Sequence, residues 1–242
     1  MIHASLKRIS MNSHFETVIL IYLKFRYCDL NDFPCVVYDH ECTGQSKGDT
    51  KKLMFSHWVE DASSIIDRLT EGPVLLVGSS LGAWLALKVA EELGQMERLF
   101  ALVLFSPALN YVWPYYNRHV ANLPAEVRER LEAGDIHVHT HEFGNAMLKK
   151  DFAMESRKFE IDLDRKDDLD VTCPVRIITS LNDTETDPKD VVRLMKALKS
   201  DDVDLIYRKS SKHQFDTAID FELLLSTVHN LLVDQAVREL QT

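Results

Sequence analysis

No run of eighteen apolar residues occurs anywhere in this 242-residue chain, so no membrane-spanning helix is expected. Positive charge is also scarce. Lysine and arginine number 28 against 38 aspartates and glutamates, a formal net charge of −10, with no basic stripe and no zinc-finger spacing. A phosphate backbone is held by clustered cations, so this balance argues against nucleic acid as a partner. Cysteine is limited to Cys28, Cys35, Cys42 and Cys173. Four in a chain this long, without a convincing secretory signal, do not make a disulfide framework and read as free thiols in a reducing compartment. None lies in an activating motif. Internal repeats and low-complexity linkers are absent too. Glycine is missing most unevenly, with none before Gly44.

What remains is an ordinary globular composition, 45% hydrophobic and 27% charged, with enough apolar material for one large core. Short apolar runs alternate with helical patterns, which predicts an α/β fold: a mostly parallel sheet flanked by helices. Candidate strands are Thr17 to Leu23, Cys35 to Tyr38, Val74 to Val77, Leu99 to Phe105, Val175 to Thr179 and Val203 to Tyr207. Candidate helices carry apolar residues at three- and four-residue steps: Val59, Ala62, Ile66 and Leu69, then Val191, Leu194, Met195 and Leu198. The last runs from about Ala218 to Leu240. Residues 1–26 hold Lys7, Arg8, Lys24, Arg26, several serines and a single acid, Glu16. They read either as a mitochondrial transit peptide or as a surface extension entering a first strand, ahead of a domain over 27–242. Residues 107–166 break the alternation as a small helical insertion fronted by Tyr111, Trp113, Tyr115 and Tyr116. An insertion after this strand would cap the carboxyl ends of the sheet, where ligands bind. Its aromatics either line an acyl pocket or, as expected for most of them, anchor the cap.

The stretch PVLLVGSSLGAWLAL, 73 to 87, runs from an apolar strand through a tight turn into a helix. That is the layout of a nucleophile elbow, G-x-S-x-G. The residues two before and two after the nucleophile must be very small. For Ser80 these are Gly78 and Gly82; for Ser79 they would be Val77 and Leu81. Ser80 is therefore the candidate. A serine hydroxyl needs a histidine to take its proton and a carboxylate to orient that histidine. On this fold the chain order is serine, acid, histidine. Asp183 follows the strand ending at Thr179, and His213 follows the strand ending at Tyr207, so both lie at the strand ends that also carry Ser80. Asp187, four residues beyond Asp183, precedes Pro188 and reads as the cap of the next helix. Among ten histidines, His57 and His229 sit in helical patterns, and His137, His139 and His141 form an H-x-H-x-H without a companion ligand set. No metal is expected.

Gly78-Ser-Ser-Leu-Gly-Ala-Trp-Leu85, together with Asp201-Asp-Val-Asp-Leu-Ile-Tyr-Arg-Lys-Ser-Ser-Lys-His213, resembles the family of alpha/beta-hydrolase domain-containing protein 10. Leu123-Pro-Ala-Glu-Val-Arg and Cys173-Pro-Val-Arg-Ile-Ile resemble its pattern as well, and the likeness extends from about Phe25 to Leu232. The resemblance implies an α/β-hydrolase fold and a mitochondrial (matrix) serine hydrolase, with a cytoplasmic location as the alternative. The implied activity is that of an acyl-protein thioesterase or acyl-glucuronide esterase, with Ser80 as nucleophile, Asp183 as orienting acid and His213 as base. The cycle would form and then hydrolyse an acyl-enzyme, with the backbone N–H of Leu81 as one oxyanion donor and no cofactor. The expected partner is a small acyl ester or an acylated protein, and the expected state a monomer.

Two departures from that pattern stand out. Asp39-His-Glu-Cys-Thr-Gly-Gln-Ser46 resembles the family's D-x-x-G-x-G-x-S but has Cys42 where a glycine is usual. The glycine-containing loop that would give the second oxyanion donor is missing or rewritten, since Thr17 to Leu23 runs straight into Lys24-Phe-Arg-Tyr-Cys28. The rival to an esterase or thioesterase is thus a hydrolase-fold protein that binds ligands or partners without significant turnover. A peptidase or lipase is a third reading.

Overall fold

A computed structural model of the chain describes residues 3–5, 35–95, 97–141 and 144–239. In chain order its elements are β1 (His3–Ser5), β2 (Val37–Asp39), α1 (Phe55–Leu69), β3 (Val74–Ser79), α2 (Leu81–Gln95), β4 (Leu99–Phe105), α3 (Val112–Val120) and α4 (Ala125–Glu132). There follow β5 (His137–His141), β6 (Gly144–Leu148), α5 (Lys150–Ser156), β7 (Val175–Ser180), α6 (Pro188–Ala197), β8 (Val203–Arg208) and α7 (Ala218–Glu239). They divide into two compact units: Met1–Leu69 with Asn110–Glu160, and Thr70–Leu109 with Ile161–Thr242.

The second unit is built on a four-stranded parallel sheet in the order β3-β4-β7-β8. β4 reads LFALVLF, apolar at every position, and a strand of that kind is stable only with both faces covered. Leu102, Val103 and Leu104 are fully buried, and each leucine stabilises the sheet by about 1.5–3 kcal/mol. Parallel neighbours need crossovers, and helices supply two of them here. α2 joins β3 to β4 and packs on both, α6 joins β7 to β8 and packs on both, and α7 packs on β4. α2 is driven there by Trp84, Leu87 and Leu93, α7 by Leu224 and Leu231. Asp187 starts α6 as the sequence suggests: its side chain accepts the Lys189 N–H at 2.9 Å, and Pro188 takes the first helical position. All four strands run the same way, so the segments that follow β3, β7 and β8 leave from one edge.

In the first unit, β1 pairs antiparallel with β2, and β5 pairs antiparallel with β6. The expected helical insertion therefore also contains a hairpin. The alternation H-x-H-x-H over 137–141 has the period of a strand, and these residues form β5. Tyr116, Leu131, Leu148 and Ala153 form the buried cluster of this part, with Trp113, Tyr115, Val127 and their neighbours packed on it. Trp113 stacks on Tyr116 with centroids 5.8 Å apart, and the Arg157 guanidinium lies 5.6 Å over the Trp113 ring. These aromatics pack within their own unit. The candidate strand over 17–23 and the rewritten loop after it lie outside the described residues.

The substituted glycine has a backbone explanation. Cys42 has φ 62° and Gly44 φ 48°, both left-handed. Gln45 N–H donates to the Asp39 carboxylate at 2.8 Å and Ser46 Oγ to the Asp39 carbonyl at 2.6 Å, which fixes the loop in that shape. Cysteine there carries about 1–2 kcal/mol of strain that glycine does not.

Candidate active site

Ser80 stands between the last residue of β3 and the first of α2, with φ 53°. Its backbone is held in that unfavourable conformation from both sides. The Ser80 N–H donates to the Phe105 carbonyl at 2.9 Å, and its own carbonyl accepts from Ala83 N–H at 3.0 Å and Ala108 N–H at 3.1 Å. Such strain persists only where surrounding bonds over-determine it. The turn is tight on one side only. A Cβ added at Gly78 would lie 2.5 Å from the Gly82 carbonyl oxygen and 2.6 Å from Ala83 Cα, whereas one at Gly82 would meet no described atom within 4 Å. Among the described residues, packing enforces a small residue at Gly78 and not at Gly82. Gly78→Ala should cost about 1–3 kcal/mol in urea denaturation. Gly82→Ala, within a helix, should be neutral or stabilise by up to about 1 kcal/mol. Equal losses in the two variants would contradict this geometry.

The structure brings Ser80, His213 and Asp183 together. His213 Nε2 lies 2.8 Å from Ser80 Oγ, and His213 Nδ1 lies 2.8 Å from Asp183 Oδ2. The Asp183 side chain is fully buried and that of His213 only 11% exposed. Four donors converge on the carboxylate. Oδ1 accepts Glu185 N–H at 2.9 Å and Thr186 N–H at 3.1 Å; Oδ2 accepts Thr186 Oγ1 at 2.9 Å besides the imidazole. Burial by itself would raise this carboxyl, but the His213 hydrogen bond and charge and the two N–H groups outweigh it and hold it below its ordinary value. An ionised Asp183 requires the proton on Nδ1. Nε2 is then left as an acceptor for the Ser80 hydroxyl hydrogen, which is the tautomer a general base needs.

Leu81, the remaining residue singled out from sequence, is the first of α2. Its N–H falls among those that have no acceptor within their own helix, and it sits at the positive end of the helix dipole. Within the first unit, His119 Nδ1 is 2.8 Å from the Tyr115 carbonyl, and its ring is 4.5 Å from that of His139. Among the described residues no three His, Cys, Asp or Glu side chains are arranged to hold a metal ion. Sequence reasoning missed Thr186, whose hydroxyl and N–H both serve Asp183. A threonine three residues after a loop aspartate is the available signal, but it is common to ordinary Asx turns.

Comparison with known proteins adds an independent line. The family model described as serine aminopeptidase, S33, matches residues 24–159, more than half of the chain. The chain belongs to that family. The S33 match takes in Ser80 and ends before Asp183 and His213. Human palmitoyl-protein thioesterase ABHD10, mitochondrial, is 27% identical over 209 residues, covering 85% of this chain. The chain spans 65% of the length of that relative. The structure of alpha/beta hydrolase domain-containing protein 10 from mouse superposes with a TM-score of 0.75 at 26% identity, over 94% of this chain and 86% of that one. A putative hydrolase from Agrobacterium vitis S4 gives the same TM-score at 20% identity, covering 88% and 81%. The fold of this S33 family member is thus the α/β-hydrolase fold, as the sequence resemblance implied, and its likeness to ABHD10 holds in both sequence and structure.

Proposed function

We propose that this chain is a serine hydrolase that cleaves acyl thioesters and esters, with Ser80 as nucleophile, His213 as base and Asp183 as the orienting acid. The observation that carries the reading is the unbroken relay from Ser80 Oγ through the imidazole to Asp183, with both contacts at 2.8 Å. Ser80 attacks the acyl carbonyl as Nε2 takes its proton, and the oxyanion forms against the Leu81 N–H. His213 then returns the proton to the departing thiol or alcohol. A water, activated the same way, releases the acid from the acyl-enzyme. The acyl group is the carbon transferred, so either an S-acylated cysteine or an acyl glucuronide would serve as substrate.

Support for a thioester comes from the relatives, which carry the name palmitoyl-protein thioesterase, mitochondrial. The same name supports a mitochondrial location. The test is to treat the purified protein with a fluorophosphonate, locate the adduct by mass spectrometry, and measure thiol release from an S-palmitoylated peptide. An adduct on Ser80 with thiol release is expected. If the folded protein gives no adduct, the relay is catalytically silent. A chain with no glycine before Gly44 would then be read as a binding protein that lacks its second oxyanion donor.

A further inference from the structure

The base in this relay is only as useful as its placement, and His213 sits in a loop with no regular structure around it. What holds that loop is a second buried carboxylate, Asp220, in the first turn of α7. Its side chain is completely buried. Oδ1 accepts a short hydrogen bond from Ser211 Oγ and a longer one from Arg208 Nε at 3.4 Å. Oδ2 accepts from Thr217 Oγ1 at 2.6 Å and from Thr217 N–H at 3.4 Å, while the Asp220 N–H donates back to Thr217 Oγ1 at 3.3 Å. The Thr217 contacts are a reciprocal capping box and account for Asp220 as part of the helix start. The bond to Ser211 is not explained by capping.

Ser211 is two residues before His213 and only 2% exposed. Its carbonyl accepts from Ser180 Oγ, and Ser180 Oγ in turn accepts the Asn182 N–H at 2.9 Å. Leu181 N–H bonds to the Arg208 carbonyl at 3.0 Å, and Asn182 Nδ2 to the Lys209 carbonyl at 2.6 Å. The segment that delivers Asp183 and the segment that delivers His213 are therefore laced together, and Ser211 fastens the lacing to Asp220. On the other side of His213, Phe215 is buried at φ 51° with its ring 6.0 Å from that of Phe105. The imidazole is clamped two residues away in each direction.

We infer that Asp220, acting through Ser211, is a positioning residue that sets the His213 imidazole against Ser80 and Asp183. The inference rests on the triad reading proposed above. The hydrogen bonds from Ser211 and Thr217 overcome the effect of burial and keep the Asp220 carboxyl below its ordinary value, so it accepts from all its donors at neutral pH. Without the Ser211 hydroxyl the loop keeps its packing at Phe215 and the bonds to Ser180, Leu181 and Asn182, but loses its tie to Asp220 and the start of α7. Displacing a reacting group by about 1 Å can cost on the order of 100-fold in rate.

The test compares wild type, Ser211→Ala and Leu231→Ala, the last removing a buried side chain of α7 remote in sequence from the loop. Each is followed by its rate of labelling with a fluorophosphonate, by kcat and KM for p-nitrophenyl acetate, and by its melting temperature. Ser211→Ala should lower the labelling rate and kcat by roughly 10- to 100-fold with KM nearly unchanged. Leu231→Ala should lower the melting temperature by at least as much and leave both rates near wild type. Labelling of Ser211→Ala at the wild-type rate overturns the inference, as does an equal loss of rate in Leu231→Ala, which would mean that any weakening of α7 suffices. Wild type that fails to label at Ser80 overturns the triad reading itself, which separates the two failures.

Discussion

Ser80→Ala should abolish fluorophosphonate labelling and lower ester and thioester hydrolysis by about 10³- to 10⁶-fold, with no change in the urea midpoint. The size follows from the way the site is organised. Among the described residues Ser80 Oγ is the hydroxyl that meets His213 Nε2, so its removal leaves the base with water to deprotonate. The residual rate would come from whatever oxyanion stabilisation and substrate binding survive. Stability stays level because alanine at φ 53° carries the same strain as serine and the three backbone bonds at this residue are untouched. Ser80→Gly separates the two quantities further. It should be equally inactive yet more stable by about 0.5 kcal/mol, since relief of left-handed strain exceeds the added freedom of the unfolded chain. Unchanged hydrolysis in Ser80→Ala would show that another nucleophile operates.

The legibility of this site in the sequence was uneven for physical reasons. β4 and the elbow were readable because a fully covered strand must be apolar throughout, as LFALVLF is, and because a sharp strand-to-helix turn admits no Cβ at Gly78. Asp183 and His213 were readable from chain order, since parallel strands deliver their carboxyl ends to one edge. Asp187 was distinguishable from Asp183 because Pro188 marks a helix start. The hairpin β5–β6 is not legible within a segment that otherwise reads as a helical insertion; its one local signal is the two-residue period of His137, His139 and His141. Asp220 was not legible as a support for the base. T-x-x-D announces a capping box, but nothing local reveals that the same carboxylate also reaches Ser211, nine residues upstream. Long-range polar contacts of that kind leave no periodicity behind them.

Asp183→Asn should retain the fold and lose about 10⁴-fold in kcat, through the tautomer of His213 rather than its position. The environment of the carboxylate determines how an amide would sit. Oδ1 faces two backbone donors, Glu185 N–H and Thr186 N–H, neither of which can accept. The amide oxygen must therefore take that place, because an NH₂ there would oppose both donors. Nδ2 is then directed at His213 Nδ1 and donates to it. An imidazole that accepts at Nδ1 carries its proton on Nε2, facing Ser80, and has no lone pair for the serine hydrogen. Nitrogen NMR of the ring would report the switch directly. The same substitution should blunt acid sensitivity. Asp183 has an ordinary value of 3.8 in the unfolded chain and a lower one in the fold, so its stabilisation is complete above 3.8 and is lost as pH falls through that value toward the folded one. Asparagine has no such dependence, and the stability gap between wild type and Asp183→Asn should narrow as pH drops below 4. A gap that widened instead would mean that the Asp183 carboxyl is raised in the fold, and that it does not hold the Nδ1 proton as an ionised partner.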